Sequence, residues 1–139
     1  MIVLDTSGVF AALNRTQPEH EAARRVLENE PGPFLLSPFV LAELDYLVAT
    51  SAGVAAELEL LTEVVAGAYE LVAFPASDVA AARDLIARYS DSEMGLADGS
   101  IVVLADRFRT PRLLTLDERH FRSIRPLQGG SFTLLPADA

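Results

Sequence analysis

The sequence contains no cysteine and no lysine. Without cysteine there is no disulfide framework, no thiolate zinc site and no thiol redox centre. Without lysine, all 11 basic residues are arginine, and no ammonium is available to neutralise a buried acid. Long apolar runs are missing too: no window approaches the ~20 apolar residues of a membrane-spanning helix. The opening MIVLDTSG offers only Ile2–Leu4 as an apolar run and no positive leader, so it does not read as a secretory signal. The expectation is a soluble cytoplasmic protein. No internal repeat, low-complexity tract or linker interrupts the chain.

What is present suits a packed fold. The chain has 139 residues, half of them hydrophobic, enough for one domain over 1–139 with one core. The net charge is −9, from 20 acidic residues against 11 arginines. Taken alone, that opposes binding to phosphates, which prefer basic surfaces. Six arginines (Arg107, Arg109, Arg112, Arg119, Arg122 and Arg125) nevertheless fall in one C-terminal stretch. They read either as ordinary solvated faces or as a local patch for phosphates or an acidic partner.

Ile2–Leu4, Phe34–Leu36, Tyr69–Phe74, Leu113–Thr115 and Phe132–Leu135 read as short strands. Helices are expected over Thr6–Leu13, Pro18–Glu28, from Ser37-Pro38 to about Ser51, and over Val54–Ala66. Further helices are expected from a cap at Ser77 or Asp78 to Tyr89, over Gly95–Phe108, and as a short turn at Glu118–Phe121. Ser37 is a natural cap, with Pro38 tolerated in the first turn. The helix that follows is apolar almost all round, so burial is expected for it. Strands alternating with helices suggest an α/β three-layer sandwich around a central, mostly parallel sheet of about five strands.

Four acids stand out on this frame. In open α/β sheets, ligands bind beyond the carboxyl ends of the strands. Asp5 directly follows the first strand, and Asp117 lies just after Leu113–Thr115. Asp98 shares a helical stripe with Ile101, Val102 and Ala105; a bare carboxylate on such a stripe is costly unless paired or ligated. Glu43 sits early in the apolar helix, with Val40, Tyr46 and Leu47 on its face. Each acid also has a plain structural role open to it, as a cap or as a charge favoured by the helix dipole. Those separate roles do not explain why all four should face one edge. Two carboxylates ~4 Å apart repel by roughly 4 kcal/mol at an effective dielectric of 20, so such a cluster would protonate or bind a cation. An all-oxygen set selects Mg²⁺ or Mn²⁺, and that chemistry suits phosphodiester hydrolysis.

The segments IVLDTSGVFAAL (2–13), SPFVLAEL (37–44), GLADGSIVVLA (95–105) and LLTLDERHFRSIRP (113–126) resemble, in order and spacing, the four acidic motifs of PIN-domain proteins. The likeness is closest to the VapC toxins of bacterial toxin–antitoxin pairs, and it covers nearly the whole chain. It implies a PIN-like fold and a metal-dependent ribonuclease, with Asp5 and Asp98 as principal Mg²⁺ or Mn²⁺ ligands. Glu43 and Asp117 would complete the acidic pocket, and Thr6 (or Ser7) and Thr115 would support it. It further implies homodimerisation, an RNA substrate of the tRNA or rRNA class, and a cognate VapB-type antitoxin. Gly99 departs slightly from the pattern, which usually has a residue such as alanine after the third acid.

Other residues carry less. His120 reads as a packing or capping residue rather than a general base. Arg119 and Arg122 are candidates for RNA phosphates. Phe10, Leu13 and the Leu-rich helices of 39–66 read as core, dimer or antitoxin surface. Two other functions remain open: a binding module without catalysis, and an Asp/Mg phosphatase. The haloacid dehalogenase kind of phosphatase would want an aspartate at position 7, where this chain has Ser7.

Overall fold

The computed structural model describes residues 1–139. Five short strands form one wholly parallel sheet in the order β3-β2-β1-β4-β5. They are β1 (Ile2–Leu4), β2 (Phe34–Leu36), β3 (Glu70–Leu71), β4 (Arg112–Leu114) and β5 (Thr133–Leu135). Every residue of β1, in the centre, is fully buried, as a strand covered on both faces requires.

Seven helices supply the cover: α1 (Thr6–Leu13), α2 (His20–Asn29), α3 (Pro38–Ala52), α4 (Val54–Val65), α5 (Ala76–Arg88), α6 (Leu96–Arg107) and α7 (Glu118–Arg122). From β1 the chain first steps outward through β2 to β3, then returns past β1 to β4 and β5. Right-handed crossovers place helices of the outward steps on one face and those of the return on the other. Most contacts follow this division, with α1 on α2 and α3, α3 on α4, and α5 on α6, while α3 also meets α6. The result is the expected α/β sandwich around a central parallel sheet. No helix is long and apolar enough to cross a membrane.

The reversal of direction leaves a crevice beyond the carboxyl ends of β1 and β4, the place where open α/β sheets bind ligands. Gly8 closes that crevice tightly. A Cβ there would lie 2.5 Å from the Leu114 carbonyl oxygen, so only glycine lets the first turn of α1 settle on the end of β4. Behind the crevice, the buried hydroxyls of Ser37 and Ser100 stand 2.6 Å apart. They tie the start of α3 to the first turns of α6.

Several elements differ from the reading of the sequence. α2 starts at His20 rather than Pro18. β3 spans two residues, not six: Val72 N–H still donates to Leu36 O at 2.9 Å, but the Ala73 carbonyl turns to accept from Arg107. α5 is preceded by Pro75, and neither Ser77 nor Asp78 caps it; Asp78 instead meets Arg107 at 2.7 Å. α3 is not buried all round. It sinks only Val40, Leu44 and Val48 and leaves Tyr46 and Leu47 exposed, because its packing partners lie along one side.

Candidate active site

The chain leaves β1 at Asp5, and Asp5 N–H donates to Leu114 O at 3.0 Å. Asp5 stands at the N-cap of α1 yet its side chain makes no capping hydrogen bond. The carboxylate turns into the crevice instead. Its Oδ2 accepts from Thr115 Oγ1 at 2.6 Å and from Ser7 Oγ at 2.8 Å. Both hydroxyls are themselves held, Ser7 Oγ by Leu116 N–H and Thr115 Oγ1 by Asp117 N–H, each at 3.0 Å. Ser7 and Thr115 therefore form a fixed pair of donors, each directing its only hydrogen at Asp5. Asp5 is 7% exposed and has no cationic side chain against it. Burial pushes its pKa above the ordinary 3.8 of an aspartate; the two hydroxyls pull it down, and the negative field of Asp98 adds to the rise.

Asp98 sits in the first turn of α6. The rest of its stripe (Ile101, Val102 and Ala105) is buried in the core, while Asp98 itself lies half-buried at the core's edge, its side chain 30% exposed. Burial raises its pKa above 3.8. His120 and the Gly95 amide oppose that rise, and the charges of Glu43 and Asp117 reinforce it. Asp98 is thus the hub of the cluster, within electrostatic reach of each of the other three acids.

Glu43 is on the solvent side of α3, and its Oε1 accepts from Thr6 Oγ1 at 2.8 Å. Thr6 and Ser7 divide the work of supporting the acids: Thr6 fixes Glu43, and Ser7 fixes Asp5. Asp117 does cap, with its Oδ1 accepting from His120 N–H at 3.1 Å at the start of α7. Its carboxylate remains exposed above the crevice.

The structure therefore gathers all four acids at one sheet edge without a guanidinium among them. Of the C-terminal arginines, Arg107 pairs with Asp78, Arg112 with Glu30, and Arg122 with Glu118 and Asp138. Arg122 is thereby engaged within the protein, whereas Arg119 is exposed and free of ion pairs. No three Asp, Glu or His side chains close to coordination range of a single point. The acids sense one another as a cluster but do not form a finished coordination shell.

The chemistry of the donors fits a hard cation. Asp5, deeply buried with no cationic partner and in the field of Asp98, lacks the positive charge that burial of such groups normally demands. Every available donor in the set except His120 is oxygen, which favours Mg²⁺ or Mn²⁺. His120, which the sequence assigns to packing or capping, stands against one of the acids. Its ring Nε2 comes within 3.3 Å of Asp98 Oδ2, an approach between two helices that no local spacing encodes.

The family model of the PIN domain matches residues 2–125. Ribonuclease VapC26 of Mycobacterium tuberculosis (strain ATCC 25618 / H37Rv) is 44% identical over 135 residues, covering 97% of this chain and 100% of that protein. The crystal structure of Mycobacterium tuberculosis VapC20, described as a Sarcin-Ricin loop cleaving toxin, superimposes with a TM-score of 0.79 at 19% identity, over 86% of this chain and 92% of that one. At that identity the likeness speaks for the fold. FitAcB from Neisseria gonorrhoeae gives a TM-score of 0.60 at 26% identity, over 87% of this chain and 91% of that one.

Proposed function

The chain belongs to the PIN-domain family, and on that premise we propose that it is a ribonuclease of the VapC kind, the toxic member of a toxin–antitoxin pair. The observation that carries this reading is the gathering of Asp5, Glu43, Asp98 and Asp117 at one sheet edge with no arginine to neutralise them. The 44% identity to Ribonuclease VapC26 supports it.

In this reading Asp5 and Asp98 are the principal ligands of Mg²⁺ or Mn²⁺, and Glu43 and Asp117 complete the pocket directly or through water. The bound ion supplies a water of lowered pKa and stabilises charge on a phosphoryl group in displacement. The protein's part is orientation. Ser7 and Thr115 hold Asp5 Oδ2 from two sides, which leaves the rest of the carboxylate to the crevice. Thr6 restrains Glu43, and the bond from His120 N–H restrains Asp117. Pre-set ligands lose little freedom on binding an ion, the main way a protein lowers the cost of such a site.

The substrate proposed is RNA, entering above exposed Asp117 and Arg119. The protein partners proposed are a VapB-type antitoxin and a second copy of the chain. α3 and α4 carry apolar surface that such partners would cover, with Tyr46 69%, Val54 66% and Leu58 58% exposed.

The test is cleavage of structured RNA with and without Mg²⁺. Wild-type protein is expected to cut only with the ion, and Asp5→Asn and Asp98→Asn to lose cutting while keeping the wild-type circular dichroism spectrum. A folded wild-type protein that cuts no RNA with either Mg²⁺ or Mn²⁺ contradicts the reading.

A further inference from the structure

We propose that His120 is a positioning residue that orients the Asp98 carboxylate through its ring Nε2. This rests on the reading of Asp98 as a metal ligand.

Three observations place the ring. Asp117 accepts from the backbone N–H of His120 at 3.1 Å, so the start of α7 is pinned where the acids gather. The imidazole then lies edge-on to Phe121, with ring centroids 5.1 Å apart at 81°, and Phe121 is itself 1% exposed. The ring is therefore anchored at its base and along its edge. Its Nε2 is 3.3 Å from Asp98 Oδ2.

That nitrogen is buried and has no other partner. The nitrogen lies within hydrogen-bond distance of Asp98 Oδ2 without being aligned on it, a close approach rather than a formed hydrogen bond. A buried polar atom left unsatisfied is unfavourable, and Asp98 Oδ2 is the acceptor within reach. A neutral imidazole with its proton on Nε2 is enough to donate; no positive charge is required. No guanidinium pairs with Asp98, whose one basic neighbour is His120.

Holding Oδ2 leaves Oδ1 of the same carboxylate free for an ion. Ligating carboxylates are commonly held by hydrogen bonds of this kind, and loss of the holding group weakens metal affinity or activity. Asp5 has its holders in Ser7 and Thr115, Glu43 has Thr6, and His120 fills the corresponding place for Asp98.

The experiment is a Mn²⁺ titration followed by electron paramagnetic resonance, with RNA cleavage measured in parallel, on wild type, His120→Ala, His120→Gln and His120→Asn. The alanine variant is expected to bind Mn²⁺ about 10–100-fold more weakly. Its kcat falls while KM for RNA stays as in wild type. At least one amide variant, able to donate to Asp98, restores most of the affinity. Nitrogen-15 NMR of the wild-type protein is expected to find the neutral ring protonated on Nε2, a reading that needs no variant to fold. An alanine variant with wild-type Mn²⁺ affinity, a loss that neither amide recovers, or a ring protonated on Nδ1 alone overturns the proposal. Wild-type protein that binds Mn²⁺ and cuts RNA, beside an alanine variant that does so equally well, removes His120 and leaves the nuclease reading standing. Wild-type protein that does neither overturns both.

Discussion

The Thr115 hydroxyl donates to Asp5 Oδ2 at 2.6 Å, joining two residues 110 positions apart. The bond exists because β4 lies parallel to β1, with Leu4 opposite Leu114, so both chains leave the sheet at the same height. Thr115 is 1% exposed, and its oxygen also accepts from Asp117 N–H. Thr115→Val keeps the shape and removes the hydroxyl. It is expected to cost about 1–3 kcal/mol of stability, as one partner of a buried polar pair is lost, and to lower metal affinity about 10-fold or more. Thr115→Ser is expected to keep most of both. Urea unfolding and Mn²⁺ titration of the two variants check this.

Asp5 sets a pH dependence of known sign. Burial raises its pKa in the folded protein above the ordinary 3.8, so the folded state keeps this proton to higher pH than the unfolded chain does. As pH climbs from about 3.8 through the raised value, this group therefore subtracts stability. Above the raised value the loss is complete. Asp5→Asn removes the charge and keeps an oxygen for Ser7 and Thr115. The variant is expected to be more stable than wild type at neutral pH, by about 1–3 kcal/mol, with the difference vanishing at pH well below the usual carboxylate range. Denaturant melts across that range measure it, and a less stable Asp5→Asn protein at neutral pH would contradict it.

A bound cation relieves the same strain. Mg²⁺ is expected to raise the Tm of wild-type protein. Saturation at 100 times Kd corresponds to about 2.7 kcal/mol. The rise is expected to disappear in Asp98→Asn and to shrink in Glu43→Gln. Differential scanning calorimetry with Mg²⁺ and with a chelator gives the comparison.

The two small-residue sites should respond differently to a methyl group. At Gly8 an added Cβ would sit 2.5 Å from the backbone oxygen of Leu114, and neither chain can yield without moving β4 or α1. Gly8→Ala is expected to cost about 1–3 kcal/mol and to reduce activity, since Ser7 shifts with it. At Gly99 the added Cβ meets the Ala82 side chain at 3.3 Å, a contact that a small slide of α5 relieves. The helix gains about 1 kcal/mol from alanine, so Gly99→Ala is expected to be near neutral. Thermal melts of the pair separate the two cases.

The two central strands β1 and β2 are readable because each is a short, wholly apolar run, and both begin and end at the expected residues. The placing of Asp5 and Asp117 beyond strand ends follows from the same feature. β3 misled because Tyr69–Phe74 is apolar enough for a strand but lies at the sheet edge, where only Leu36 and its neighbours offer partners. α3 misled because uniform hydrophobicity reports the amount of apolar surface, not the side from which neighbours approach. The cap of α5 misled because Asp78 is claimed by Arg107, 29 residues away. The division of labour between Thr6 and Ser7 depends on where each hydroxyl points, and the approach of His120 to Asp98 depends on how α7 meets α6. Neither leaves a spacing in the sequence, since each is created by tertiary packing alone.

Whether these acids form one divalent-cation site is read by anomalous diffraction at a wavelength sensitive to manganese from crystals soaked in Mn²⁺. A peak is expected in the crevice beyond β1 and β4, bound by both Asp5 and Asp98, and absent in crystals of Asp98→Asn. A fully soaked crystal with the crevice empty, or with manganese bound only elsewhere on the acidic surface, would contradict it.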